Sequence, residues 1–286
     1  MKSRVREIVE QGDKLFSRRA SAGLDDLWQK QAEQFYPIRA DFTVTRNAGD
    51  EFASHLMTGR PMLAHRDLGN AISAMLRPRG VAWFNARTDN EDLNSDAGIK
   101  TWLDAKCDVM RRMMYAQNAQ FLRATKQGDN DFVAFGQCII EVTPNLYLDG
   151  ALFRNWHLRD TVWCENDELV IDTIHRNWKL DARALLRRFP KTASSKVADI
   201  AAKEPYREIK CRHVVLPADD YDLKQETRGR KLPFVSLYID CENDVVLEEV
   251  PAKRISYVIP RWVTVSGSPY AYSPCTVAAL PDARLL

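Results

Sequence analysis

The chain has 286 residues, of which 45% are hydrophobic and 28% charged, an ordinary globular composition with room for one large domain or two smaller ones. Its 41 basic and 39 acidic side chains give a formal net charge of +2, without the overall basic excess typical of nucleic-acid-binding proteins. The sequence contains no run of about 18 apolar residues, so it does not predict a membrane-spanning helix. The charged N-terminus does not predict a secretory signal.

The first third of the sequence has the periodicity of helices. In the first helix, apolar residues recur on one face, at Val5, Ile8, Val9, Leu15 and Phe16. A second helix is predicted between the capping pair Asp25-Asp26 and Pro37. A third helical stretch covers about 50–76, with a potential break at Gly59-Arg60-Pro61, before Pro78-Arg79-Gly80 ends it. Residues 81–85 favour a short extended segment.

The longest helical pattern runs from about 92 to 126. One apolar line contains Ile99, Leu103, Met110, Met114 and Phe121. The adjacent line contains Trp102, Ala105, Val109, Met113 and Ala116. So wide a stripe predicts a helix that is buried along much of its length. About 35 residues at 1.5 Å each would span about 50 Å, which is more usual in extended assemblies than in compact enzymes.

After residue 130 the pattern favours strands, and the segments 132–135 and 138–142 flank Gly136. Further strands are predicted at 145–154, 160–164, 168–178, 206–216, 233–240, 245–250 and 255–265. A helical insertion near 181–203 begins at the potential cap Asp181. The predicted fold is therefore α+β, with a helical region at 1–128, a β-rich region at 129–265 and a connection at 266–286 into a final helix. Pro281 and Asp282 suit the first turn of that helix.

No pattern in the sequence predicts catalysis, a cofactor or a metal. Phosphate-loop, nucleophile-elbow and zinc-protease motifs are missing. The histidines are isolated in the sequence, at His55, His65, His157, His175 and His213. An enzyme would need a convergent site, such as His157 or His175 with Asp160 or Asp172. The acidic clusters fit a helix start or a turn better than a metal site; they are Asp89, Glu91 and Asp92, and Asp219, Asp220 and Asp222.

The remaining polar and aromatic features have ordinary explanations. The six cysteines include no Cys-x-x-Cys pair and are interpreted as reduced thiols, at Cys107, Cys138, Cys164, Cys211, Cys241 and Cys275. Two basic patches, at 4–19 and 228–231, favour solvated surfaces or subunit contacts over phosphate binding, which leaves a sequence-independent nucleic-acid-binding module as an alternative. The seven tryptophans indicate core or interface positions. Replacing Trp83, Trp102 or Trp262 by alanine is predicted to impair folding or assembly, at about 3–5 kcal/mol for a buried tryptophan.

Six segments stand out as a set by their order and spacing, at 75–84, 131–138, 233–238, 259–262, 270–274 and 278–282. Their distinctive residues are Trp83, Phe84, Gly136, Arg261, Trp262, Tyr270, Pro274, Pro281 and Asp282. Taken together, these segments and residues resemble the head-to-tail connector (portal) proteins of short-tailed bacteriophages. One departure is Tyr270-Ala271-Tyr272-Ser273-Pro274, where the family pattern has glycine after the tyrosine.

This resemblance implies a structural protein and not an enzyme. It implies a ring of twelve copies at one capsid vertex of the virion, through which double-stranded DNA is packaged and ejected. The implied partners are the major capsid protein, the packaging terminase and tail adaptor proteins, with no membrane, after assembly in the host cytoplasm. The matching region corresponds to the outer wing of the family, and Pro281 would open its stem. Because family members continue further, these 286 residues are expected to be the N-terminal part of a longer chain.

Overall fold

A computed structural model describes residues 4–47, 49–54, 56–78, 80–145, 148–221 and 232–285. The chain forms two compact units. The sheet unit comprises Met1–Leu27 and His157–Ile255, and the helical unit comprises Trp28–Trp156 and Ser256–Leu286. Helices dominate the N-terminal part, strands follow, and a helix ends the described chain, so the predicted α+β class is confirmed.

The helices are α1 (Arg4–Ser21), α2 (Leu24–Phe35), α3 (Arg60–Leu76), α4 (Glu91–Ser95), α5 (Ala97–Met114), α6 (Phe121–Phe135), α7 (Ala182–Arg188), α8 (Ser195–Lys203), α9 (Ala218–Tyr221) and α10 (Leu280–Leu285). The strands are β1 (Ile139–Pro144), β2 (Ala151–Trp156), β3 (Thr161–Glu165), β4 (Ile171–Asp181), β5 (Glu208–Pro217), β6 (Phe234–Asp240), β7 (Val245–Ala252), β8 (Tyr257–Val258), β9 (Val263–Thr264) and β10 (Ala271–Tyr272). A π-helical turn, Cys275–Ala279, precedes α10.

The described part of the sheet unit is a five-stranded antiparallel sheet in the order β3-β4-β5-β6-β7, with helices on both faces. Side chains alternate between the faces of a strand, so Ile209 and Cys211 of β5 pack with α7 and α8, whereas Val214 and Leu216 pack with α1. Each such buried aliphatic side chain contributes about 1.5–3 kcal/mol. The five strands therefore carry a hydrophobic core on each face, one closed by the helices of the insertion at 181–203 and the other by α1.

The helical unit is built around α6. This helix packs against α3, β1 and β2 and buries most of its length. Strands β2, β1 and β8 form a three-stranded antiparallel sheet, and β9 pairs with β10. The final helix predicted at Pro281 is confirmed and begins at Leu280.

Several predicted elements are wrong in their boundaries. The third helix begins at Arg60, with Pro61 in its first turn, and not near residue 50. The long helix predicted for 92–126 is interrupted at 115–120, where Gln120 adopts φ 55°. Residues 132–135, predicted as a strand, form the last turn of α6. The region 255–265 contains only the two-residue strands β8 and β9.

The expectation that the long apolar stripe is buried is also wrong within one chain. Of α5, only Cys107 is buried. Trp102 is 59% exposed, and Val109 and Met113 on the same line are 42% and 45% exposed. These residues lie seven and four positions apart and therefore share one face of the helix. We call this line the α5 face.

Candidate assembly site and the signature residues

Gly136 ends α6 and begins the most constrained turn of the helical unit. Its φ of 77° lies in the left-handed region that favours glycine. A Cβ at this position would collide with the carbonyl carbon of Tyr272 and would lie 2.7 Å from the amide nitrogen of Ser273. Glycine is therefore required for two reasons, the backbone conformation and the close approach of a second chain segment.

The segment that approaches Gly136 carries three other signature residues, Arg261, Trp262 and Tyr270. The Trp262 amide donates to the Gly136 carbonyl at 2.8 Å, and Arg261 forms a β-bridge with Gln137. The buried amide oxygen of Gln137 accepts from the Ala271 amide at 2.9 Å. The Ser273 hydroxyl donates to the Ala134 carbonyl at 2.9 Å. We call the set Gly136, Gln137, Arg261, Trp262, Tyr270 and Ser273 the signature junction.

Aromatic rings pack the signature junction from both sides. Trp262 stacks on Phe132 of α6, with centroids 5.1 Å apart and planes at 19°. Tyr270 meets the fully buried Trp28 edge-on at 5.6 Å. Such pairs contribute about 0.5–1.5 kcal/mol beyond their buried area. The Arg261 guanidinium donates to the Pro269 carbonyl at 3.3 Å and so helps to hold this loop in place.

Trp83 and Phe84 lie in a separate aromatic cluster. Trp83 stacks parallel to Phe121 at 6.2 Å, and its indole N–H donates to the Tyr115 hydroxyl at 3.2 Å. Phe84 lies 4.7 Å from Trp83 and under the guanidinium of Arg111 at 5.5 Å. Pro274, Pro281 and Asp282 are exposed, around the π-helical turn and α10. The structure thus brings four signature residues together (Gly136, Arg261, Trp262 and Tyr270) and leaves the other five elsewhere in the helical unit.

Two buried ion pairs on α6 were not predicted from the sequence. Arg39 donates two hydrogen bonds to Asp131, at 3.0 and 2.8 Å, and Arg77 pairs with Asp129. Burial alone would lower the pKa of Arg39, but the adjacent Asp131 carboxylate raises it above its ordinary value. The partners are about 90 and 50 positions apart, so spacing along the chain gives no signal for either pair.

The histidines that the structure describes are held by packing and hydrogen bonds. His65 stacks on Tyr36 at 4.9 Å with its Nε2 2.8 Å from the Asn130 carbonyl, and burial lowers its pKa. Burial and the Arg212 guanidinium lower the pKa of His175 to about 3. His157 accepts the Arg159 amide at 3.0 Å. His213 stacks on Tyr238 at 4.1 Å. These roles are structural; His55 lies outside the described residues.

The ionisation of the described thiols and the geometry of the described acidic residues bear on nucleophilic and metal chemistry. Burial raises the pKa of Cys138, and it raises that of Cys275 to about 11, which disfavours the nucleophilic thiolate. Among the described residues, no group of three or more histidine, cysteine or acidic side chains could hold a metal ion. Asp222 falls outside the described ranges. No described helix is long and apolar enough to span a membrane.

Three basic residues of α1, Arg4, Arg6 and Arg19, are engaged within the sheet unit. Buried Arg19 donates to the carbonyls of Leu158 and Thr161 at 2.7 and 2.8 Å and pairs with Asp25 at 2.8 Å. Arg4 and Arg6 form ion pairs with glutamates one turn away on the same helix. This part of the first basic patch stabilises α1, and the second patch, 228–231, lies beyond the described residues.

The model of a family described as "Bacteriophage head to tail connecting protein" matches residues 7–286, essentially the whole chain. No curated protein matches the chain. Members of this family are structural components of the virion at the junction of head and tail. The chain belongs to the family of bacteriophage head to tail connecting proteins.

Proposed function

We propose that this protein is a portal subunit, which assembles into a closed ring at the capsid vertex, and that phage DNA is packaged and ejected through that ring. The observation that carries the proposal is the α5 face. Trp102, Val109 and Met113 expose an apolar line in a chain that belongs to the connector family. Contiguous apolar surface of this kind marks an interaction site, and identical subunits that meet head to tail form rings when the rotation closes.

The finer parts of this function follow from the family resemblance. The ring would contain twelve copies and contact the major capsid protein, the packaging terminase and later the tail adaptors. It would form in the host cytoplasm before DNA enters the head. The helical region at 1–128 and the β-rich region at 129–265 would together supply the wing, and α10 would begin the stem. No catalytic turnover is part of the proposal.

The ring is tested on the purified full chain by native mass spectrometry and negative-stain electron microscopy. We expect closed rings. A protein that remains monomeric at micromolar concentration, in both measurements, would contradict the proposal. Because the α5 face is the expected interface, Trp102→Asp should reduce ring formation.

A matched control distinguishes a specific interface from a general loss of apolar surface. Tyr206, which is 73% exposed, belongs to the sheet unit. Tyr206→Asp introduces the same charge at a comparably exposed aromatic residue and should leave the rings intact. Equal loss of rings in both variants would mean that the α5 face has no special role.

A further inference from the structure

Beside the Trp83 cluster, the helical unit has an open groove with a volume of about 600 Å³. Its lining is apolar except for two arginines: Pro78, Gly80, Val81, Ala82, Trp83, Arg111, Arg112, Tyr115 and Leu122. Val81 and Leu122 are 60% and 52% exposed in the single chain. The groove therefore offers apolar surface with positive charge at its edge, and we call it the arginine groove.

The two arginines of the groove differ in how they are held. Arg111 is fixed, because it donates to the Phe84 carbonyl at 3.0 Å and forms an ion pair with Asp108. Arg112 is exposed, and it donates a long hydrogen bond of 3.4 Å to the Asp108 carbonyl. Among the described residues Arg112 has no carboxylate partner. The groove thus fits a segment that brings an apolar side chain together with a carboxylate.

The same helix carries such a segment at its other end. Residues 89–96 contain four acidic side chains and no basic one, at Asp89, Glu91, Asp92 and Asp96. Between them, Leu93 of α4 is 44% exposed. Asp96 is occupied as the cap of α5, where it accepts the Gly98 and Ile99 amides. Glu91 and Asp92 remain exposed beside Leu93.

Helix α5 keeps the acidic segment and the arginine groove of one chain apart. The segment precedes Ala97, and Arg111 and Arg112 lie in the last turn. At 1.5 Å per residue, this separation is on the order of 20 Å along a rigid helix. The opposite charges of one copy therefore cannot pair with each other, and each remains available to another copy. Such a contact joins two different surfaces and propagates head to tail.

We propose that the acidic segment of one copy docks on the arginine groove of the next copy, with Leu93 in the groove and Glu91 and Asp92 facing Arg112. This contact rests on the proposed ring and assigns one of its interfaces. It also places the exposed α5 face, which lies between the two charged ends, along the same subunit boundary.

Charge reversal tests the pairing in the full chain. Variant one carries Glu91→Lys and Asp92→Lys, and variant two carries Arg112→Glu. Each alone should self-associate at least about tenfold more weakly, because like charges then face each other. In an equimolar mixture, every boundary can pair opposite charges, so sedimentation velocity should show assembly restored. Lys196→Glu, on the exposed face of α8, is the control and should assemble normally.

A cysteine pair tests the contact independently of charge. Leu93→Cys with Leu122→Cys should give, under mild oxidation, a ladder of linked chains longer than dimers, because a head-to-tail contact continues from copy to copy. Leu93→Cys alone should give no ladder. Wild-type rings together with unlinked double-cysteine chains and unaffected charge variants would overturn this contact and leave the ring standing. A monomeric wild type would overturn both proposals.

Discussion

The sheet unit and the helical unit differ in how much of their apolar surface is buried within the chain. The sheet unit covers one face of its sheet with α1 and the other with α7 and α8. Its large exposed apolar side chains, among the described residues, are Leu169, Val170, Tyr206 and Val250. The helical unit exposes many more, including Met75, Trp102, Val109 and Met113. Closed cores stabilise a single chain, whereas open apolar faces are typical of interaction sites. The helical unit therefore offers the apolar surface that the proposed assembly needs, and the described part of the sheet unit offers less of it.

The largest expected effect tests whether the helical unit has a true core behind its open faces. Trp28 is 1% exposed and contacts Phe42 and Tyr270 at 5.6 Å. Trp28→Ala should lower the free energy of unfolding by about 3–5 kcal/mol, because it leaves a cavity in an aromatic cluster. Urea denaturation, at a concentration where the chain is monomeric, measures this. A loss below about 1 kcal/mol would show that this region is loosely packed.

The second prediction concerns the signature junction. Gly136→Ala should cost about 2–4 kcal/mol, because a left-handed alanine is strained and its Cβ collides with the backbone of Tyr272. Gly267 is the matched control, since its φ is 87° but a Cβ added there would meet nothing within 4 Å. Gly267→Ala should cost only about 1–2 kcal/mol, the backbone part. Equal losses would mean that the close approach of Tyr272 contributes nothing.

The third prediction concerns His175, a buried histidine of the sheet unit. Because the pKa of His175 is lowered to about 3, the unfolded state binds its proton first as the pH falls. The contribution of the buried neutral His175 to the free energy of unfolding is fully present above about pH 6.5, and it is lost as the pH falls toward 3. Between pH 8 and pH 5, wild type should lose about 1–2 kcal/mol more than His175→Asn. Parallel pH profiles of the two proteins would contradict the assigned burial.

The smallest effect on folding is expected for Trp102→Ala, although this change should have a large effect on assembly. Trp102 is 59% exposed, so the full cost of a buried tryptophan does not apply to it. Trp102→Ala should change the free energy of unfolding of the monomer by at most about 0.5 kcal/mol. Its rings should nevertheless be fewer than those of wild type by native mass spectrometry. A strongly destabilised Trp102→Ala monomer would place this residue in a core and end the contrast between the units.

Local patterns in the sequence predict which helices and strands exist better than they predict where those elements end or what they pack against. The apolar face at Val5, Ile8 and Val9 predicted α1, and the strand predicted at 206–216 corresponds to β5. The interruption at 115–120 contains neither glycine nor proline, so the apolar spacing continued across it. The run Phe132–Phe135 is short, apolar and aromatic, and such a run does not distinguish a buried strand from the last turn of a helix.

The candidate site shows the same limit. Family resemblance selected Gly136, Trp262 and Tyr270. It did not indicate that these residues contact one another. The pairing of Arg39 with Asp131 had no sequence signal at all, because it depends on the tertiary fold. The α5 stripe was visible in the sequence, but whether a stripe faces its own core or another chain depends on tertiary packing.

The signature junction also affects the order in which the chain can fold during synthesis. The Gly136 carbonyl accepts a hydrogen bond from the Trp262 amide, which is synthesised about 125 residues later. At 5–20 residues per second, translation of those residues takes roughly 6–25 s. Over that interval, Phe132 and the turn at Gly136 leave the ribosome without their final cover. Strands β3 to β7 can pair in chain order as they emerge. The strands of the sheet unit are thus synthesised before the segment that completes the signature junction, so the packing around Gly136 is complete only after residue 273 has been translated.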